Sequence, residues 1–105
     1  MIKPCIIGLG YVGLPILINL SKKYISTGYD ISTSRIKDLK KGIDIFNEFK
    51  KKQLKSKKIN FTNSVNDIKN SNLFIITVPT PILGNRKPDL KHLNDVCKVL
   101  SKIIK

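Results

Sequence analysis

The sequence predicts an α/β fold with a doubly wound, mostly parallel sheet, and three observations lead to this prediction. Short apolar runs of strand length alternate with segments of helical periodicity along the 105 residues. The first apolar run enters a glycine-rich turn, which an apolar helix follows. A later run, Leu73–Val78, consists of apolar and β-branched residues, as do strands that a parallel sheet buries on both faces. One small domain with crossover helices accounts for all three observations.

The first predicted strand, Ile2–Ile7, leads into the sequence GLGYVG at positions 8–13. This is the G-x-G-x-x-G pattern, placed between a strand and a helix as a dinucleotide-binding turn requires. Gly8 permits a tight turn, Gly10 lets a diphosphate approach the backbone, and Gly13 lets the helix pack against the strand. The helix N-terminus adds unpaired N–H groups for the phosphates. We therefore expect a dinucleotide to bind at this turn.

The same opening segment has an alternative interpretation, because Pro4–Leu20 contains no charged residue. A secretory signal peptide requires a small-residue cleavage site, and the residues SKKY at 21–24 offer none. A membrane helix needs about 20 apolar residues, whereas this run is shorter and is interrupted by three glycines and Pro15. Export and membrane insertion are therefore both disfavoured.

An acidic residue completes the fingerprint at the end of the second predicted strand, Tyr24–Tyr29. Asp30 follows this strand, 17 residues after Gly13, near the spacing of about 20 residues that the fingerprint requires. Its carboxylate is expected to accept hydrogen bonds from the adenosine ribose and to repel a 2′-phosphate, which favours NAD over NADP. The alternative role is an N-cap for the next helix, and one carboxylate can do both. Arg35 is predicted to pack over the adenine or to touch the ribose edge.

The other predicted elements follow from hydrophobic periodicity and from boundary residues. Ile36 and Leu39 share one face of the second helix, and Gly42 ends it. The basic run KKKQLKSKK at 50–58 is expected to form a solvated helix or loop, with a phosphate-facing patch as the alternative. The elements are helices at Leu14–Leu20, Ile31–Lys41 and Leu90–Ile104, strands at Ile59–Phe61 and Leu73–Val78, and one or two helical turns at Ser64–Lys69.

The fourth predicted strand leads directly into Pro79-Thr80-Pro81. Ligands in open α/β sheets bind beyond the carboxyl ends of the strands. Thr80 is therefore predicted to lie near the cofactor if the first and fourth strands are neighbours, with its hydroxyl or backbone at the diphosphate or ribose. A rigid turn without a ligand contact is the alternative.

The net charge of +13 is a strong compositional feature. Lys and Arg number 20 together, only Arg35 and Arg86 are arginine, and alanine is absent while Ile and Asn are abundant. This composition indicates AT-rich coding rather than nucleic-acid binding, which favours arginine and exposed aromatic residues. Cys5 and Cys97 lie far apart and His92 is the single histidine, so we expect no zinc site and two reduced thiols.

Several segments, in order along the chain, resemble the UDP-glucose/GDP-mannose dehydrogenase family. They are IIGLGYVGLP at 6–15, GYDIS at 28–32 with Arg35, GID at 42–44, FT at 61–62, IITVPTPI at 75–82 and PDL at 88–90. The last two are most similar to the branch that oxidises UDP-N-acetylhexosamines for polysaccharide biosynthesis. The resemblance implies an NAD-dependent oxidation of the sugar's C6 alcohol to a carboxylate, through a thiohemiacetal and a thioester on a cysteine. It implies NAD contacts at Gly8, Gly10, Tyr11, Val12, Gly13, Asp30, Arg35 and Thr80.

The resemblance also implies a division of labour within a longer protein. Residues 1–105 correspond to an N-terminal NAD-binding, Rossmann-type domain that is truncated at its C-terminus, because the alternation stops where another strand is expected. The catalytic and sugar-binding domains are expected to be absent, and neither Cys5 nor Cys97 falls at the nucleophile's place. We therefore expect the chain alone not to oxidise nucleotide sugars. The intact protein is expected to be a cytoplasmic homo-oligomer that binds NAD and a UDP-sugar, without nucleic-acid or membrane partners.

Three alternatives stay open on the sequence. A non-catalytic remnant would keep dinucleotide binding alone. A basic module for polyphosphate or nucleic acid would bind with steep salt dependence and no preference for NAD. FAD is compatible with Asp30, since its adenosine ribose can use the same carboxylate, and the family resemblance is what argues against it.

Overall fold

The computed structural model describes residues 1–45, 47–77 and 91–103, with the backbone alone at 91–93. Four strands within these residues form one parallel sheet. They are β1 (Pro4–Ile7), β2 (Ser26–Tyr29), β3 (Ile59–Thr62) and β4 (Leu73–Ile76). Their order in the sheet is β3-β2-β1-β4, with Ile6 opposite both Gly28 and Ile75. The predicted doubly wound parallel sheet is confirmed, and the first and fourth strands are neighbours.

Helices connect the strands as a parallel sheet requires. They are α1 (Gly13–Ser21), α2 (Thr33–Lys40), α3 (Lys51–Leu54), a 3₁₀ helix (Val65–Ile68) and α4 (Lys91–Ser101). Pro15 lies in the first turn of α1, where its missing N–H removes no intrahelical hydrogen bond. Beyond α2, Gly42 adopts the left-handed conformation with φ 82°, as is common after helix ends. No helix in the described ranges has the length and hydropathy needed to cross a bilayer.

The two faces of the sheet bury separate apolar clusters, because side chains alternate along each strand. Ile6 faces a cluster that includes residues of α1, α2 and α3. Cys5 and Ile7 face the opposite cluster, together with Ile68 and Leu100. Burial raises the pKa of the Cys5 thiol from its ordinary 9.0 to about 12. Cys5 is therefore a protonated core residue at neutral pH, as its apolar sequence context indicates.

The structure corrects one prediction about the individual elements and bears out another. The run at 73–78 was expected to be buried, but Leu73 is 43% and Ile76 36% exposed. The reason is that, within the described residues, β4 pairs only with β1 and so lies at a sheet edge. Between α2 and β3, the basic run forms the short helix α3, which buries Leu54 and leaves its lysines exposed, in agreement with the solvated helix or loop that was expected.

A glycine substitution tests the packing of α1 against the sheet. A Cβ added at Gly28 would lie 2.5 Å from Leu17 Cδ2 and 3.1 Å from the methyl groups of Leu9. We expect Gly28→Ala to lower the free energy of unfolding by about 1–3 kcal/mol, because overpacked cores must shift. Urea denaturation followed by circular dichroism measures this change.

Gly10→Ala is the matched control, because a Cβ at Gly10 meets nothing within 4 Å. Its free energy of unfolding is expected to stay within about 0.5 kcal/mol of the unsubstituted chain. Equal destabilisation by the two substitutions would contradict the packing described for the second strand.

Candidate dinucleotide-binding site

The glycine turn leaves β1 at its carboxyl end and enters α1. Gly8 has φ 96°, which only glycine adopts without strain, and its N–H donates to the carbonyl oxygen of Tyr29 at 2.8 Å. Gly13 is the point of closest approach, since an added Cβ would lie 1.7 Å from the carbonyl oxygen of Gly8. Gly10 is exposed and faces open space. The three glycines therefore have the geometry that the fingerprint predicts for a turn, a ligand approach and a helix–strand contact.

The Leu9 peptide groups hold the turn to the second strand–helix unit. Leu9 is fully buried. Its N–H donates to Asp30 Oδ2 at 2.9 Å, and its carbonyl oxygen accepts from Arg35 Nε at 2.9 Å. The carboxylate predicted for the ribose therefore lies directly beside the turn predicted for the diphosphate.

Asp30 is half-buried and makes a second backbone contact. Its Oδ1 accepts from the N–H of Ser32 at 2.9 Å. The N-cap of α2 is Ser32, whose hydroxyl accepts from the N–H of Arg35 at 3.2 Å, so the N-cap alternative for Asp30 was wrong. A carboxylate oxygen can accept two hydrogen bonds, so each oxygen of Asp30 keeps capacity for a ribose hydroxyl. Burial, followed by the negative charge of Asp30, raises the pKa of Tyr29, whose phenol is neutral at neutral pH.

Arg35 lies beneath the glycine turn instead of on the open surface. It is 9% exposed, and its Nη1 lies 3.2 Å from Oδ1 of the buried Asp44. The other oxygen of Asp44 accepts from the N–H groups of Glu48 at 3.0 Å and Phe49 at 3.3 Å. The Arg35 side chain thus links the Leu9 carbonyl oxygen to Asp44, in the segment that follows α2.

Thr77 holds the turn from the other side, and sequence reasoning missed it. Its Oγ1 lies 2.6 Å from the carbonyl oxygen of Gly8, to which it donates, and its N–H donates to the carbonyl oxygen of Ile7 at 2.8 Å. The sequence did contain a signal for this contact, because Thr77 is a hydroxyl residue that directly follows the fourth strand. Thr80, which the sequence singled out instead, lies outside the described residues.

The remaining predicted contacts lie at the start of α1. The side chains of Tyr11 and Val12 are 66% and 62% exposed. Val12 is the N-cap, and no side chain caps the helix there. The first turn of α1 therefore offers backbone N–H groups beside the glycine turn. Within the described residues, no three His, Cys, Asp or Glu side chains are grouped as a metal site would require.

A family comparison adds independent information about this arrangement. Residues 2–105 match the model of the UDP-glucose/GDP-mannose dehydrogenase family, NAD binding domain. The chain belongs to this family. The match confirms the resemblance seen in the sequence, and it confirms NAD as the cofactor of the domain and oxidoreductases as the class of its family.

Individual relatives show that the chain corresponds to only part of their length. Protein CapL of Staphylococcus aureus is 41% identical over 99 residues, which are 94% of this chain and 23% of CapL. The UDP-N-acetyl-D-glucosamine 6-dehydrogenase of Pseudomonas aeruginosa is 39% identical over 105 residues, with 99% of this chain and 25% of that protein covered. The chain therefore spans about a quarter of the length of these relatives.

A solved structure of a similar protein has the same fold. The UDP-D-ManNAc dehydrogenase from Pyrococcus horikoshii superposes with a TM-score of 0.90 at 34% identity, covering 98% of this chain and 26% of that one. The Rossmann-type architecture predicted from the sequence is confirmed by this superposition.

The contact between Thr77 and the family's glycine turn can be tested by a near-isosteric change. Thr77→Val removes the hydroxyl that donates to the Gly8 carbonyl. We expect the free energy of unfolding to fall by roughly 0.5–1.5 kcal/mol, the typical value of such a hydrogen bond. Urea denaturation measures the change.

Thr27→Val is the control, because the Thr27 hydroxyl makes no hydrogen bond within the described part of the chain. Its effect is expected to stay within about 0.5 kcal/mol. A Thr77 variant no less stable than the Thr27 variant would show that the hydroxyl does not hold the turn.

Proposed function

We propose that this chain is the NAD-binding part of a nucleotide-sugar 6-dehydrogenase. The intact enzyme would oxidise a UDP-sugar, of the UDP-N-acetylhexosamine class, to the uronic acid for polysaccharide biosynthesis. The observation that carries the proposal is the 2.9 Å hydrogen bond from Leu9 N–H to Asp30, since it holds the carboxylate proposed for the ribose beside the turn proposed for the diphosphate. Similarity to a UDP-N-acetyl-D-glucosamine 6-dehydrogenase and to UDP-N-acetyl-D-mannosamine dehydrogenases supports the sugar class.

The backbone of the glycine turn leaves room for a dinucleotide. A Cβ added at Gly10 would have no neighbouring atom within 4 Å, so a diphosphate can approach the backbone there. NAD, when bound, would accept a hydride from the substrate carbon that undergoes oxidation. The proposed contacts are Gly8, Gly10, Tyr11, Val12, Gly13, Asp30, Arg35 and Thr80.

The chain's own groups have distinct parts in cofactor binding. The backbone N–H groups of the turn and of the start of α1 would bind the diphosphate, with support from the helix dipole. Asp30 would orient the adenosine ribose and repel a 2′-phosphate. The net charge of +13 attracts an anionic dinucleotide, and salt weakens this attraction.

Other parts of the intact protein would carry the remaining functions of the enzyme. Residues 1–105 would be its N-terminal NAD-binding domain, while other parts supply the nucleophilic cysteine and the UDP-sugar site. We propose a cytoplasmic homo-oligomer without nucleic-acid or membrane partners. The 105-residue chain alone is expected to form no NADH from NAD and a UDP-sugar.

The cofactor assignment is tested by charge removal at Asp30. NADH binding, followed by fluorescence, is expected to weaken about tenfold in Asp30→Asn. The preference for NADH over NADPH should shrink at the same time, because the carboxylate no longer repels the 2′-phosphate. Asp38→Asn removes the same charge from α2 and is expected to leave both quantities unchanged.

Two results would contradict this assignment. One is an unchanged NADH affinity in Asp30→Asn. The other is tight binding of unrelated nucleic acids, steeply weakened by salt, by a chain that binds no NADH, since that behaviour belongs to a basic binding module.

A further inference from the structure

The peptide bond between Leu9 and Gly10 is oriented from its carbonyl side. The buried Arg35 donates from Nε to the Leu9 carbonyl oxygen at 2.9 Å. No cis peptide occurs in the described residues, and in a planar trans peptide the C=O and the following N–H point in opposite directions. The N–H of Gly10 therefore points away from Arg35. Gly10 is also the exposed glycine at which the proposed diphosphate approaches the turn.

Arg35 is in turn fixed by Asp44. The guanidinium is a rigid plane, so an ion pair at Nη1 also sets the direction of Nε–H. The distance from Nη1 to Asp44 Oδ1 is 3.2 Å, and the two side chains are only 9% and 1% exposed. Solvent therefore competes little for either partner.

Asp44 is itself held by backbone groups of the segment after α2. Its Oδ2 accepts from the N–H groups of Glu48 and Phe49 at 3.0 Å and 3.3 Å. Just before it, the N–H of Ile43 donates to the carbonyl oxygen of Asp38 at 2.8 Å, which joins this segment to the end of α2. The carboxylate thus has a fixed position from which to direct Arg35.

We propose that Asp44 is a positioning residue that orients the Gly10 N–H toward a dinucleotide diphosphate. It acts through Arg35 and the Leu9 carbonyl, without touching the ligand. The identity of the ligand rests on the proposed function; the orientation of the peptide does not. A purely stabilising role is the competing explanation, but buried ion pairs are often no more stabilising than apolar replacements, and in some proteins their role is to fix geometry.

The first test is Asp44→Asn in the full 105-residue chain. NADH affinity is expected to fall about tenfold, because the Gly10 N–H would no longer point at the diphosphate and their charge-assisted hydrogen bond would be weakened. In the ligand-free chain, the NMR resonances of the Leu9 carbonyl carbon and the Gly10 amide should shift. Asp38→Asn, which makes the same change in net charge, is expected to alter neither readout.

The second test separates action through Arg35 from an independent effect. Arg35→Lys keeps a positive charge but has no planar fork to hold Asp44 and the Leu9 carbonyl together. It should shift the same resonances, and it serves as the test variant if Asp44→Asn does not fold. If Asp44 acts through Arg35, adding Asp44→Asn to the Arg35→Lys variant should weaken NADH binding further by a factor of less than about two.

The outcomes decide separately on the positioning role of Asp44 and on the proposed NAD-binding function. Unchanged NADH affinity in Asp44→Asn, or an equal loss from Asp44→Asn in both backgrounds, would overturn the positioning role. If the unsubstituted chain binds no NADH, the proposed function fails. The ligand-free resonances then decide the orientation by themselves: unchanged Gly10 and Leu9 signals in both variants overturn it, and shifted signals support it.

Discussion

The buried backbone of Leu9 is the constraint on which the site depends. Its N–H is bound by Asp30 and its carbonyl by Arg35, and both residues come from the unit that follows β2. A turn rich in glycine has high conformational freedom, and these two contacts remove it. The position of the glycine turn is therefore set by the neighbouring strand and helix as well as by its own sequence.

The order of the sheet makes this arrangement possible. β1 lies between β2 and β4, so the turn leaving β1 receives contacts from both neighbours at the same edge. Asp30 supplies the contact after β2, and Thr77 supplies the contact after β4 through the Gly8 carbonyl. Close packing completes it, since Gly13 leaves no room for a Cβ between α1 and this carbonyl. Backbone N–H groups that are held in place in this way can bind an anion with little further loss of entropy.

Local patterns in the sequence predicted the parts of the site that depend on local geometry. The glycine spacing and the place of Asp30 follow from a strand–turn–helix unit, and both were confirmed as structural features. The contacts of Arg35 with Asp44 and of Thr77 with Gly8 depend on tertiary packing, the latter across 69 positions. No periodicity encodes such contacts. The N-cap assignment to Asp30 was wrong because α2 begins at Thr33 instead of at the predicted Ile31, so Ser32 is the residue that caps it.

The most direct test of this account is a ¹⁵N–¹H NMR titration of the full chain with NADH at physiological ionic strength. We expect the largest changes in the backbone amides of the glycine turn, the first turn of α1 and Asp30. They should persist when salt is raised moderately, because geometry as well as charge holds the ligand. Changes confined to the lysine-rich segment 50–58 that vanish with added salt would contradict it, since they would show a nonspecific attraction of an anion to a basic surface.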